Sequence, residues 1–96
     1  TNFQLHHFYR YIDKYTNKTV YVGRTINIIP REYQHRQNGY INMNIIISVY
    51  CDTEWSRKIE QAFIDYLKPE DNKMRACNSD KPYKLSPYFI QKLQKI

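Results

Sequence analysis

The sequence predicts a small α+β fold: a three-stranded antiparallel sheet flanked by helices in the order β-β-α-β-α-α. Three observations carry this. Two short runs of aromatic and branched residues, Phe8 to Ile12 and Thr19 to Thr25, stand on either side of a polar turn. A nearly unbroken branched run occupies Ile45 to Cys51, too short for a helix. Apolar residues then recur at helical spacing from Trp55 to Tyr66. The 96 residues make one domain, 1–96, able to bury roughly 60–65% of its unfolded surface.

Taken in order, Phe8-Tyr9-Arg10-Tyr11-Ile12 and Val20-Tyr21-Val22 read as strands, and Tyr15, Thr16, Asn17 and Lys18 supply the turn of a hairpin. Asn27-Ile28-Ile29-Pro30 leads into a helix with Pro30 as its natural first residue. Asn38-Gly39 ends it, because glycine takes the left-handed cap without strain. Ile45 to Cys51 is expected to be the sheet centre or main core strand. Asp52-Thr53 offers capping oxygens to the next helix, whose stripe is Trp55, Ile59, Ala62, Phe63 and Tyr66 and which stops before Pro69. Glu60 falls at the border of that stripe, where a carboxylate is partly shielded yet faces a cleft. Glu70 to Tyr83 is polar and aperiodic, hence a loop. Ser86-Pro87 opens a last helix with Tyr88, Ile90, Leu93 and Ile96 as its apolar face.

Fifteen Lys and Arg against nine Asp and Glu give a net charge of +6 and a pI near 9.4, the balance expected of a protein that meets phosphates. Cys51 and Cys77 have no CxxC partner, and His6, His7 and His35 lack zinc-site spacing. Both thiols therefore read as reduced and structural, which points to an intracellular protein. No apolar stretch approaches the ~18 residues of a membrane span, and the first residues lack a signal-peptide pattern. A soluble protein without a membrane partner is expected. Most of the ten tyrosines read as half-buried core residues with a wet hydroxyl.

Spacing adds a more specific signal. Tyr9 is followed, after eleven residues, by Tyr21-Val22-Gly23, then by Arg31 ten past Tyr21 and His35 four past Arg31. Further on come Glu60-Gln61-Ala62-Phe63-Ile64, Pro69 nine past Glu60 and Asn72 twelve past it. This pattern, over about two thirds of the 96 residues, resembles the GIY-YIG nuclease family, including its E-x-x-L-I and P-x-x-N segments. The first motif departs from it, since His7-Phe8-Tyr9 keeps only the tyrosine. The resemblance implies the same small α+β arrangement and a metal-dependent endonuclease cleaving phosphodiester bonds in DNA with one Mg²⁺ or Mn²⁺. By the same resemblance Tyr9, Tyr21, Arg31, His35 and Glu60 are catalytic. Tyr9 would activate the water, assisted by His35 or the metal, and Tyr21 would orient the nucleophile or phosphate.

The residue types suit that chemistry. Phosphodiester hydrolysis needs a cation at the phosphoryl group, a proton acceptor for the attacking water and donors for the phosphate oxygens. Glu60 fits a hard cation that keeps several waters and takes one or two carboxylates. Arg31 carries a permanent planar charge, and His35, four residues on, shares its helix face. A free phenol has a pKa near 10, so Tyr9 serves as base only if its neighbours favour the phenolate. Gly23, Arg24, Arg36 and either Asn72 or Asn78 complete the expected substrate contacts, with Lys73, Arg75, Lys81 and Lys84 as further candidates for a phosphate track. The rival reading is a nucleic-acid-binding module of the same fold without catalysis. RNA is not separated from DNA as substrate, and sequence specificity would need a homodimer or an added segment.

Binding is expected to be electrostatic, so the logarithm of the association constant should fall linearly with the logarithm of salt concentration. A response that stays flat between about 50 and 200 mM salt would count against nucleic acid as the partner.

Overall fold

The computed structural model describes residues 2–77 and 82–94; Asn78, Lys81 and Ile96 lie outside them. The elements are β1 (Gln4–Ile12), β2 (Thr19–Thr25), α1 (Ile28–Gln37), β3 (Asn44–Cys51), α2 (Thr53–Leu67) and α3 (Pro87–Leu93). The three strands form one antiparallel sheet in the order β2-β1-β3. Among the described residues no helix is long and apolar enough to cross a membrane.

The sheet centre is β1, and β3 is an edge strand, which corrects the expectation drawn from its branched run. The reason lies in what β1 buries. His6, Phe8, Tyr9, Arg10 and Tyr11 are all buried, and their polar atoms disguise a strand covered on both faces. In β3 only Ile46 and Cys51 are buried, while Ile45 and Tyr50 face solvent.

Side chains of β1 alternate between two layers, as the pleat requires. Phe8 packs on Phe63 of α2 with ring centroids 5.9 Å apart, and Arg10 donates to the Leu93 carbonyl of α3 at 2.8 Å. On the other face, Tyr9 and Tyr11 meet His35 of α1 at 5.4 and 5.5 Å between ring centroids. The apolar core, Phe8, Val22, Ile46, Cys51, Ile59, Phe63 and Leu93, lies on the α2 and α3 side. The register between β1 and β3 shifts at Phe8/Tyr9. Such bulges increase local twist and re-aim side chains, and this one sits beside the residue that starts the nuclease-like motif.

Local signals account for most boundaries. Asp13 Oδ1 accepts from the Tyr15 and Thr16 amides at 2.7 and 3.0 Å, and Asn17 takes a left-handed φ of 61°. α1 begins at Ile28, so Pro30 is its third residue rather than its first. Ahead of it, Thr25 Oγ1 accepts from the Asn27 amide and donates to the Asn27 carbonyl, fixing the approach. Gly39 closes α1 at φ 90°. Asp52 Oδ1 caps α2 through the Trp55 amide at 2.7 Å, and the Ser86 hydroxyl caps α3 through Phe89. The α2 stripe is narrower than its periodicity suggests. Ile59, Ala62 and Phe63 are buried, whereas Trp55 and Tyr66 at its ends are 46% and 54% exposed.

Two side chains tie the long loop to this frame. Asn72 takes the Val22 amide on its oxygen at 2.9 Å and gives its own N–H to the Val22 carbonyl at 2.8 Å, imitating a strand on the open side of β2. Gln61 Oε1 accepts from the Ala76 amide at 2.7 Å. Gly23 faces Tyr9 across the β1–β2 ladder, and a Cβ there would overlap the Tyr9 hydroxyl and ring. The glycine is thus a slot for a phenol ring at the edge of the cleft.

Gly23→Ala should destabilise the fold by about 1–3 kcal/mol, the usual cost of overpacking, measured by denaturant unfolding. Combined with Tyr9→Leu, it should cost less than the two single changes summed. Strict additivity would mean that Tyr9 does not depend on this slot.

Candidate active site

The site is assembled from both faces of the sheet at the β2 side. From the α1 face, Tyr9 Oη lies 2.6 Å from His35 Nε2, a short buried hydrogen bond. Tyr9, Tyr11, Tyr21, His35 and Tyr40 stack into one aromatic cluster, with Tyr21 and His35 ring centroids 5.0 Å apart and Tyr21 and Tyr40 5.3 Å apart. Tyr40 donates to Asp71 Oδ2 at 2.6 Å, and that bond pushes its phenol pKa up to about 12. From the α2 face, Arg24 Nε donates to Glu60 Oε1 at 3.1 Å, and Arg24 Nη1 lies 3.4 Å from His6 Nδ1.

These groups border two adjoining hollows. The first, about 430 Å³, is lined by Tyr9, Tyr21, Gly23, Arg24, Arg31 and Glu60 among others. The second, about 340 Å³, shares Tyr21, Arg24 and Glu60 with it and adds Arg57, Asn72 and Lys73.

Burial governs the protonation states. It raises the Tyr9 pKa well above that of a free phenol, with Tyr21 adding to the effect and Arg31 opposing it. Burial likewise raises Tyr21, helped by the Glu60 charge. It lowers His35, and Arg31 lowers it further. Burial therefore favours the uncharged form of both partners, which share one hydrogen between Tyr9 Oη and His35 Nε2. Tyr9 has 0% of its surface exposed, so Tyr21 is the phenol that meets the cleft. Glu60 is raised by burial, against the pull of Arg24, Arg31 and Arg57.

Of the residues singled out from the sequence, Tyr9, Tyr21, Gly23, Arg24, Arg31 and Glu60 line the first hollow, with His35 directly behind Tyr9. Arg36 is not among them. It follows Arg31 by five residues, about 140° round the helix at 3.6 residues per turn, and lines neither hollow. Asn72 reaches the second hollow; its amide oxygen and one N–H are held by Val22, so it positions β2 and has one N–H left over. Asn78 lies outside the described residues.

Two residues were missed. Arg57 stands three residues before Glu60, on the same face by helix geometry, and this spacing was legible. His6 carried no such signal, because the strand extends four residues further toward the N-terminus than its aromatic run indicates.

Among the described residues no group of three His, Cys, Asp or Glu could hold a metal ion. A hard, largely hydrated cation needs less than that, and Glu60 Oε2 has no hydrogen-bond partner among the described residues. Glu60 is the carboxylate that the first hollow would offer such a cation, beside its contact with Arg24. In comparisons with family models, with curated proteins and with solved structures, nothing matches this chain.

The lowered His6 and His35 pKa values set a sign for pH dependence. The unfolded chain takes up these protons first, near 6.5, so the stability present above that pH is lost as pH falls toward the folded values. Glu60, raised, works in the opposite direction. The Tm of the parent should therefore fall more steeply from pH 7 to 5.5 than that of His35→Gln. Parallel Tm curves would show that His35 is not held neutral.

Proposed function

We propose that this protein is a metal-dependent endonuclease of the GIY-YIG type, hydrolysing phosphodiester bonds in DNA. The observation that carries the reading is the convergence of Tyr9, Tyr21, Arg31, His35 and Glu60, spread over 52 residues of sequence, on one cleft and the hydrogen bond behind it. Together they offer permanent cations, a neutral imidazole, phenols and one partly shielded carboxylate, the parts that phosphodiester hydrolysis requires.

In this reading Arg31 holds the non-bridging oxygens of the scissile phosphate, with Arg57 and Lys73 receiving the adjacent backbone. A Mg²⁺ or Mn²⁺ on Glu60 would neutralise charge at the phosphoryl group and lower the pKa of bound water. Tyr21, facing the cleft, orients the attacking water. Proton removal runs through the buried pair: Tyr9 accepts the water proton on its oxygen as its own proton passes to His35 Nε2. A high Tyr9 pKa suits this relay, since the phenol never stands alone as phenolate. It requires Tyr21 to move aside far enough for water to reach Tyr9.

The complete burial of Tyr9 and the pairing of Glu60 with Arg24 favour a second reading, a nucleic-acid-binding module without catalysis. The discriminating experiment is plasmid nicking in Mg²⁺ and in EDTA, with gel-shift affinity and circular dichroism on the same preparations. Tyr9→Phe should keep the fold and slow cleavage by roughly 10²–10⁴-fold, and Glu60→Gln should abolish Mg²⁺-dependent nicking while retaining binding. Binding by the parent protein without any nicking would establish the second reading.

A further inference from the structure

Arg24 holds Glu60 through a single good hydrogen bond. Its Nε meets Oε1 at 3.1 Å, and its other contact, to the imidazole of His6, is long at 3.4 Å. A structural arginine–carboxylate pair in a protected site is ordinarily bidentate, with both oxygens engaged by the planar fork. Here the second carboxylate oxygen has no partner among the described residues, and the side chains keep 22% and 16% of their surface open. His6 itself is 1% exposed, and its Nε2 is buried without a hydrogen-bond partner. The guanidinium thus lies between a buried imidazole and a carboxylate, and it lines both hollows.

A carboxylate this shielded needs a cation beside it. We infer that Arg24 is a resident stand-in for the divalent cation, occupying the charge position against Glu60 until the ion arrives and then swinging into the cleft as a phosphate ligand. The inference rests on the proposed metal-binding role of Glu60. Loss of a monodentate contact costs little, and the released fork has phosphate-binding geometry. The same residue thereby weakens the site for metal alone and strengthens it for nucleic acid.

The test measures Mn²⁺ affinity by electron paramagnetic resonance on the full chain without nucleic acid. Arg24→Gln should bind Mn²⁺ about tenfold or more tightly than the parent, as expected when a unit charge a few ångströms from the ion is removed. Arg24→Met serves as a second uncharged variant should the first fail to fold. Glu60→Gln should lose Mn²⁺ binding. In a parallel Mg²⁺ titration of the parent followed by NMR, the Arg24 Nε–H signal should shift and lose its protection from exchange.

Unchanged or weaker Mn²⁺ binding in the uncharged variants, with Glu60→Gln inactive in binding, overturns the stand-in role and leaves the metal assignment intact. Parent-like Mn²⁺ binding by Glu60→Gln overturns the metal assignment itself. An Arg24 signal that stays protected through saturation with Mg²⁺ shows that arginine and ion sit on Glu60 together, which also overturns the inference.

Discussion

The hydrogen bond between Tyr9 and His35, 2.6 Å long and buried, is the constraint on which the site depends. It joins the central strand to α1, the helix that also carries Arg31. For the bond to form, the Tyr9 ring must cross β2 at a residue without a side chain, and Gly23 is that residue. His35 must sit one helical turn beyond Arg31 and remain neutral, which burial and the arginine charge together secure. Pairing, packing and protonation are therefore set by one contact. A buried tyrosine left without this acceptor would carry the full desolvation penalty of its hydroxyl.

Around Glu60 electrostatics takes over. Arg24, Arg31 and Arg57 all act on the single carboxylate Glu60, an excess of positive charge around one anion. In the proposed function that excess suits a phosphodiester better than a free cation, and binding of the anion relieves it. Affinity for cation and affinity for nucleic acid are then coupled, each raising the other by the same factor.

The sequence was most legible where local chemistry decides. The capping side chain of Asp52, the start of α3 at Ser86-Pro87, Gly39 at the end of α1, and the hairpin turn were all read from residue type. The sheet order was not, because strand centrality was judged from hydrophobicity. β1 carries His6, Tyr9, Arg10 and Tyr11 inside, and polar residues are buried there because they build the site or tie down other elements. The same logic explains Asn72. Its spacing from Glu60 marked it as important, but only tertiary contact reveals that its amide serves Val22. Arg36 failed for the simplest reason, that five residues along a helix turn a side chain away. His6 entered only through geometry, whereas Arg57 stands one helical turn before Glu60 and could have been read from that spacing.

The Arg10 side chain, nearly buried in the central strand, finds its best acceptor at the Leu93 carbonyl, 83 positions later in sequence. Without α3 its guanidinium keeps, among the described residues, only the weaker contact with Thr19 Oγ1 at 3.3 Å. Closing the core over an unmatched charge is unfavourable, so the core over β1 closes together with α3. Tyr9 is the adjacent residue in that strand, so the last helix bears on the frame of the cleft from the far side of the sheet.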